Sequence, residues 1–183
     1  MKMKKEIYVV VKNKNTERCV GLLKVRNTCY FNDYRTNEWD VELGDSREEV
    51  EQILIDYLVK DLPCNPQDIQ FMIASDFYDY FEKRVTKIAK KFCGTFNIGL
   101  NSGCYVEGGV AYVEVKIAKN ILVLEGDVEE MMTYKDNEEL YQEIKDMFID
   151  AVDWFKNNNR LDDLVHVDKV IAKRNKVFNE TLE

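Results

Sequence analysis

"YVEGGVAYVEVKIAKN", residues 105–120, decides how the second half of the chain is read. β-branched and aromatic residues flank Gly108-Gly109, a pair suited to the two positive-φ positions of a tight hairpin turn. Such a turn pairs Glu107 with Val110, Tyr105 with Tyr112 and Gly103 with Glu114. The two arms are then antiparallel strands, and "GTFNIGL" at 94–100 before them and "NILVLEG" at 120–126 after them complete the antiparallel unit. Along "AYVEVKI" the apolar Val113, Val115 and Ile117 take one face, while Tyr112, Glu114 and Lys116 take the other.

Working outward, the first third reads as a meander. "IYVVV" (7–11), "CVGLLKV" (19–25), "CYF" (29–31) and "WDVEL" (39–43) are strand-like, and "KNKNTER" suits a hairpin loop. "GDSREEVEQILIDYLVKDLP" then predicts a helix: Ser46 or Asp45 caps it, Glu49 completes a capping box, and Pro63 ends it. Val50, Ile53, Leu54, Tyr57 and Leu58 form its expected apolar face. "DIQFMIAS" predicts a buried strand. Ser75 or Asp76 opens a second helix through Phe77, Phe81, Val85, Ile88 and Phe92, with Gly94 as its stop. A long helix is expected from about Asp136 to Lys156, burying Leu140, Ile144, Met147, Ala151 and Phe155 and broken by the asparagines at 157–159. The tail "LDDLVHVDKVIAKRNKVF" carries Leu164, Val167, Ile171 and Phe178 at helical spacing while "VHVDKV" alternates like a strand, and of the two readings helix is preferred. Strands grouped apart from helices predict an α+β fold, an antiparallel sheet or meander with three to four helices packed on it. A single domain over 1–183 is expected, with 62–68 as the place to subdivide it.

Composition narrows the chemistry. At 45% hydrophobic and 33% charged residues, the 183-residue chain has the balance of a folded globule. No run approaches the roughly 18 apolar residues that span a bilayer, so no membrane partner and a cytoplasmic location are expected. The five cysteines are scattered with no C-x-x-C pair, which reads as reduced thiols. His166 has no second histidine to share a metal, and the glycines match neither a P-loop nor G-x-G-x-x-G. No cofactor or metal is expected.

Glu114 and Lys116 raise the one catalytic alternative. An acid-x-Lys strand resembles the PD-(D/E)xK nucleases, and the resemblance implies Mg²⁺-dependent nucleic-acid cleavage, with a neighbouring strand supplying an Asp. The hairpin register puts Gly103 at that neighbouring position. Glu107, the nearest upstream acid, lies about 13 Å along the strand. The preferred expectation is therefore that Glu114 and Lys116 lie on the wet face of a half-buried sheet.

Charge is the stronger signal. The net −8 is concentrated: residues 33–57 carry nine acids and two bases, and residues 125–153 eleven acids and two bases. On a helix, Glu139, Glu143, Asp146, Asp150 and Asp153 fall within about 40° of one line. Together with Asp127, Glu129, Glu130 and Glu138 they form the candidate partner-binding set. Like charges three or four residues apart disfavour a helix by about 0.2–0.5 kcal/mol per pair, and Lys145 is the only base inside the helix before Lys156. Carboxylates repeating about every 5 Å can imitate a phosphate backbone. Nearby aromatics, Tyr134, Tyr141, Phe148 and Trp154 by one block and Tyr34, Trp39 and Tyr57 by the other, divide between core and interface roles.

The expected function is a non-catalytic acidic interaction module that binds a protein with a basic surface, with no direct DNA binding through the acidic face. An inhibitor of a nucleic-acid-handling enzyme fits that description. In general character, though in no motif, the chain is similar to antirestriction and anti-CRISPR proteins. The alternatives are a divergent PD-(D/E)xK-like nuclease and a toxin-neutralising immunity-type protein. Unpaired strand edges leave a homodimer open.

Overall fold

The computed structural model describes residues 5–36, 38–44, 46–133, 136–164 and 166–180, and the side chains of 38–41 lie outside the description. The capping candidate Asp45, Tyr134 and the side chain of Trp39 are thus outside the described residues. The class is α+β, with two antiparallel sheets and five α-helices among the described residues. Contacts divide the chain into two compact units, Met1–Asp79 with Met132–Asp136, and Tyr80–Met131 with Asn137–Glu183.

The first unit holds β1 (Lys5–Lys12), β2 (Glu17–Val25), β3 (Cys29–Asp33) and β4 (Glu38–Gly44), then α1 (Arg47–Asp61) and β5 (Ile69–Ile73). The sheet order is β4-β3-β2-β1-β5, all neighbours antiparallel. Asn13 makes the first turn: its Oδ1 accepts the backbone N–H groups of Asn15 and Thr16 at 2.9 and 2.8 Å, an Asx-type closure that asparagine favours. Ile7, Val9, Val11, Val20, Leu23 and Phe31 form one core with Val50, Leu54 and Leu58 of α1.

Three expectations change here. Ile53 and Tyr57 are 45% and 38% exposed, because the sheet covers only the narrow stripe at 50, 54 and 58. The Ser46 side chain makes no cap bond and its Oγ donates to Glu48 at 3.2 Å instead, so the capping box does not form. β5 is an edge strand bonded to β1, so of its residues only Ile69 is fully buried and Ile73 is exposed.

α2 (Ala74–Phe96) starts at Ala74, and the division between the units falls inside it. Its predicted core positions Phe77, Phe81, Val85, Ile88 and Phe92 are all buried. The helix runs past Gly94. Asn97 takes the left-handed conformation (φ 52°), and the Ile98 N–H donates to the Cys93 carbonyl at 2.8 Å. That is a Schellman ending with asparagine, the residue after glycine most at ease there, in the left-handed position.

The second unit continues with β6 (Gly99–Glu107), β7 (Val110–Ile117) and β8 (Asn120–Asp127), ordered β6-β7-β8. α3 (Val128–Thr133), whose last two residues belong to the first unit, α4 (Asn137–Asn157) and α5 (Val167–Asn179) follow. The ambiguous tail is helical, and His166 precedes α5 as an exposed residue with φ 64°. Ala111, Val113, Val115, Leu122 and Leu124 bury the inner sheet face. α4 turns somewhat from the predicted arc: Leu140, Ile144, Met147, Phe148 and Val152 are buried, whereas Ala151 and Phe155 are half-buried. Phe148 is drawn inward by Phe92 of α2, with ring centroids 5.7 Å apart.

Gly108 and Gly109 make the turn with φ of 60° and 83°, and Glu107↔Val110 and Tyr105↔Tyr112 pair as expected. The register then slips, so that Ser102, not Gly103, stands opposite Glu114. α2 explains the slip. The Cys104 N–H donates to Thr86 Oγ1 at 2.7 Å and the Val106 N–H to Glu82 Oε1 at 2.9 Å. Helix side chains thus hold this edge strand, and a Cβ on residue 103 would meet Thr86 Oγ1 at 2.8 Å, which only glycine avoids.

Candidate interaction face on the long acidic helix

Glu114 and Lys116 point to the outer face of the β6–β8 sheet, half-buried and exposed respectively. Glu114 Oε2 accepts a hydrogen bond from Asn101 Nδ2 at 2.7 Å, and its cross-strand neighbours are Ser102 and Val123. Tyr105 and Tyr112 stack beside it at 5.2 Å. The Tyr105 hydroxyl is pushed above its ordinary pKa, by desolvation first and then by the charge of Glu114 and its neighbours Tyr112, Glu107 and Glu125. Among the described residues no three His, Cys, Asp or Glu side chains gather as a metal-holding group.

The nine acids of the candidate binding set separate by what each touches. Asp127 ends β8 and its Oδ1 accepts the Glu130 N–H at 3.0 Å, so it caps α3. Glu129 and Glu130 lie in the first turn of α3, and Glu138 and Glu139 in the first turn of α4, where the helix dipole favours negative charge. Glu138 also meets Lys91 of α2 at 2.7 Å. Asp153 sits near the C-terminal end of α4, where the dipole disfavours it, and Arg174 of α5 bridges it at 3.1 Å. Bases that the sequence places far away thus offset part of the repulsion along the stripe. Lys145, the base within α4, is buried, its ammonium 5.6 and 5.5 Å from the ring centroids of Phe96 and Tyr141.

Glu139, Asp146 and Asp150 remain on the exposed side of α4, and Asp146 accepts a hydrogen bond from Gln142 at 3.1 Å. Glu143 is half-buried on the same stripe. At the C-terminal half of this face opens a cleft of about 400 Å³, lined by Glu125, Met147, Asp150, Ala151, Trp154 and Phe155. Trp154 is 49% exposed and stands edge-on to Phe155 at 5.0 Å. Its lining is mainly apolar and aromatic, with Asp150 beside it, while Glu125 pairs with Tyr112 on the outer face of the sheet. Periodicity along α4 could not have found it, because Glu125 comes from β8, the edge strand of the sheet. Trp154, by contrast, was visible as an aromatic at the end of the acidic stripe.

The remaining aromatics divide. Phe148 is core; Tyr141 is half-buried and edge-on to Phe92 at 6.1 Å. Tyr57 donates to Asp33 Oδ2 at 3.3 Å and carries Arg35 over its ring at 5.2 Å, and Tyr34 is half-buried. No helix among the described residues is long and apolar enough to cross a membrane. Comparison with protein families, curated proteins and solved structures finds no match to this chain.

Proposed function

We propose that this protein is a non-catalytic interaction module that presents the outer face of α4 to a basic surface on a partner protein. An inhibitor covering the basic groove of a nucleic-acid-handling enzyme is the form of module that suits this face. The observation that carries the reading is the juxtaposition of exposed Glu139, Asp146 and Asp150 with the half-exposed Trp154 on one helix. Carboxylates recur along α4 at roughly one helical turn, about 5.4 Å, comparable to the spacing of strand phosphates. A net charge of −8 adds long-range attraction for a basic partner and repels nucleic acid itself. Tyr and Trp with a surrounding charged rim are the usual composition of binding hot spots.

The test is affinity capture from bacterial lysate, with and without nuclease treatment, followed by mass spectrometry. The native protein should retain a basic protein in both samples. A variant with Glu139, Glu143, Asp146 and Asp150 all changed to Lys should lose it. Unchanged capture by that variant would refute the acidic face.

A further inference from the structure

We infer that the open edge of β8 accepts an extended segment of the partner protein as an added strand, with basic side chains on the outer sheet face and apolar ones in the cleft against α4. This mode of binding rests on the basic-partner reading above and names the element that holds the partner. The two edges of the β6–β8 sheet differ. On β6, Thr86 and Glu82 of α2 accept the N–H groups of Cys104 and Val106. On β8, no strand among the described residues pairs with the side away from β7. The β7–β8 ladder runs from Val110↔Asp127 to Ile117↔Asn120 without a register shift. Ala118 and Lys119 form a two-residue turn, so the closing pair is a hydrogen-bonded one and bonding alternates from there. Asn120, Leu122, Leu124 and Gly126 thus bond to β7, while Ile121, Val123, Glu125 and Asp127 direct their N–H and C=O groups off the sheet. Ile121 and Val123 are 48% and 41% exposed. A straight, proline-free edge of this kind is one that native proteins ordinarily cover.

The cleft follows the same edge. Glu125 borders it although its side chain shares the outer face with Tyr112, which places the opening along the strand's side. Met147 lies beneath: a Cβ on Gly126 would stand 3.1 Å from Met147 Sδ. Side chains of an added antiparallel strand alternate in step with those of β8. Residues bonded to Val123 and Glu125 place theirs on the outer face, and the residues between them turn toward Met147, Ala151, Trp154 and Phe155. Strand addition draws affinity from main-chain bonds and specificity from pockets for alternate side chains. Charge selects the occupant. Glu107, Glu114, Glu125 and Asp127 outnumber Lys116 on the outer face, so lysine or arginine suits that side of the segment. A second copy of this chain would bring an equally acidic face to the edge and meet repulsion there.

The experiment uses a fluorescein-labelled peptide of alternating lysine and valine, with binding read by anisotropy at an ionic strength of about 0.15 M. Two further peptides carry backbone N-methyl groups on every lysine or on every valine, so all three have the same charge. Lysine on the outer face directs its N–H toward β8, and valine in the cleft directs its N–H away. The native chain should bind the parent and the valine-methylated peptide alike, and the lysine-methylated peptide at least about tenfold more weakly, the order of a few lost hydrogen bonds. Val123→Pro removes one outward N–H at an edge position that tolerates proline, and should weaken the parent peptide by about tenfold with an unchanged circular dichroism spectrum. Equal binding of all three peptides, or of none, would overturn the open edge. Loss confined to the valine-methylated peptide would overturn the assignment of faces. A native dimer that Val123→Pro converts to monomer, read by sedimentation, would put a second copy on this edge and overturn the partner strand. In each of these cases the acidic-face reading stands; it fails separately, when the variant with Glu139, Glu143, Asp146 and Asp150 changed to Lys keeps its partner.

Discussion

Phe92→Ala tests the packing that holds the acidic face in position. Phe92 is fully buried in α2, and its ring lies 5.1 Å from Phe96, 6.1 Å from Tyr141 and 5.7 Å from Phe148. Two of those three rings belong to α4, so this side chain ties α2 to the helix that carries the acids. All three separations fall in the range of about 4.5–7 Å where aromatic pairs add about 0.5–1.5 kcal/mol each beyond area burial. Phenylalanine-to-alanine changes in cores cost about 3–5 kcal/mol, and three ring contacts put this one no lower than the middle of that range, about 4 kcal/mol. Phe92→Leu keeps most of the apolar volume and loses the rings, for an expected cost of about 1–3 kcal/mol. Urea unfolding followed by far-UV circular dichroism reads both, with the midpoint shift taken at constant slope. A cost below about 2 kcal/mol for Phe92→Ala would refute the reasoning, because it would mean that α4 is held by other contacts.

Two further outcomes follow from the packing. Gly21→Ala should destabilise the first sheet by about 1–3 kcal/mol or prevent folding, since the new Cβ would stand 2.4 Å from both the Asn32 carbonyl oxygen and the Phe31 ring; a melting temperature within a degree of native would contradict the β2–β3 geometry. Burial pushes the Cys93 thiol up to about 11, and burial with the nearby Glu82 charge pushes the Cys104 thiol up to about 12, from an ordinary value of 9.0. The folded state therefore holds these protons more tightly than the unfolded chain. The resulting stability is fully present below about pH 9 and is lost as pH rises toward 11–12. Melting temperature should fall across that window, and Cys93→Ala with Cys104→Ala should flatten the fall; an unchanged slope in the double variant would assign it elsewhere.

The elements of this protein were legible in its sequence because each signal is local. Gly108-Gly109 dictates a hairpin through its backbone freedom, the α2 phenylalanines dictate a buried face through their spacing, and the asparagines after α4 stop it: Asn159 takes φ 54° and the Arg160 N–H returns to the Phe155 carbonyl at 2.8 Å. The acids of α4 and their shared face were equally readable, since 3.6-residue periodicity needs no partner. Tertiary structure decided what those acids meet. Arg174 reaches Asp153 and Lys91 reaches Glu138 from helices distant in sequence, so the repulsion computed within one helix is not the repulsion the fold contains. It decided the β6 register as well, because Thr86 and Glu82 on α2 bond N–H groups that no strand pattern could assign to them. The cleft belongs to this second kind of information, because a residue of β8 joins the α4 residues that line it only when an edge strand packs beside a helix. Sequence determines which residues share a face, because that follows from the geometry of one element. Which faces meet depends on packing among elements, and there α4 brings Asp150 and Trp154 to one cleft beside β8.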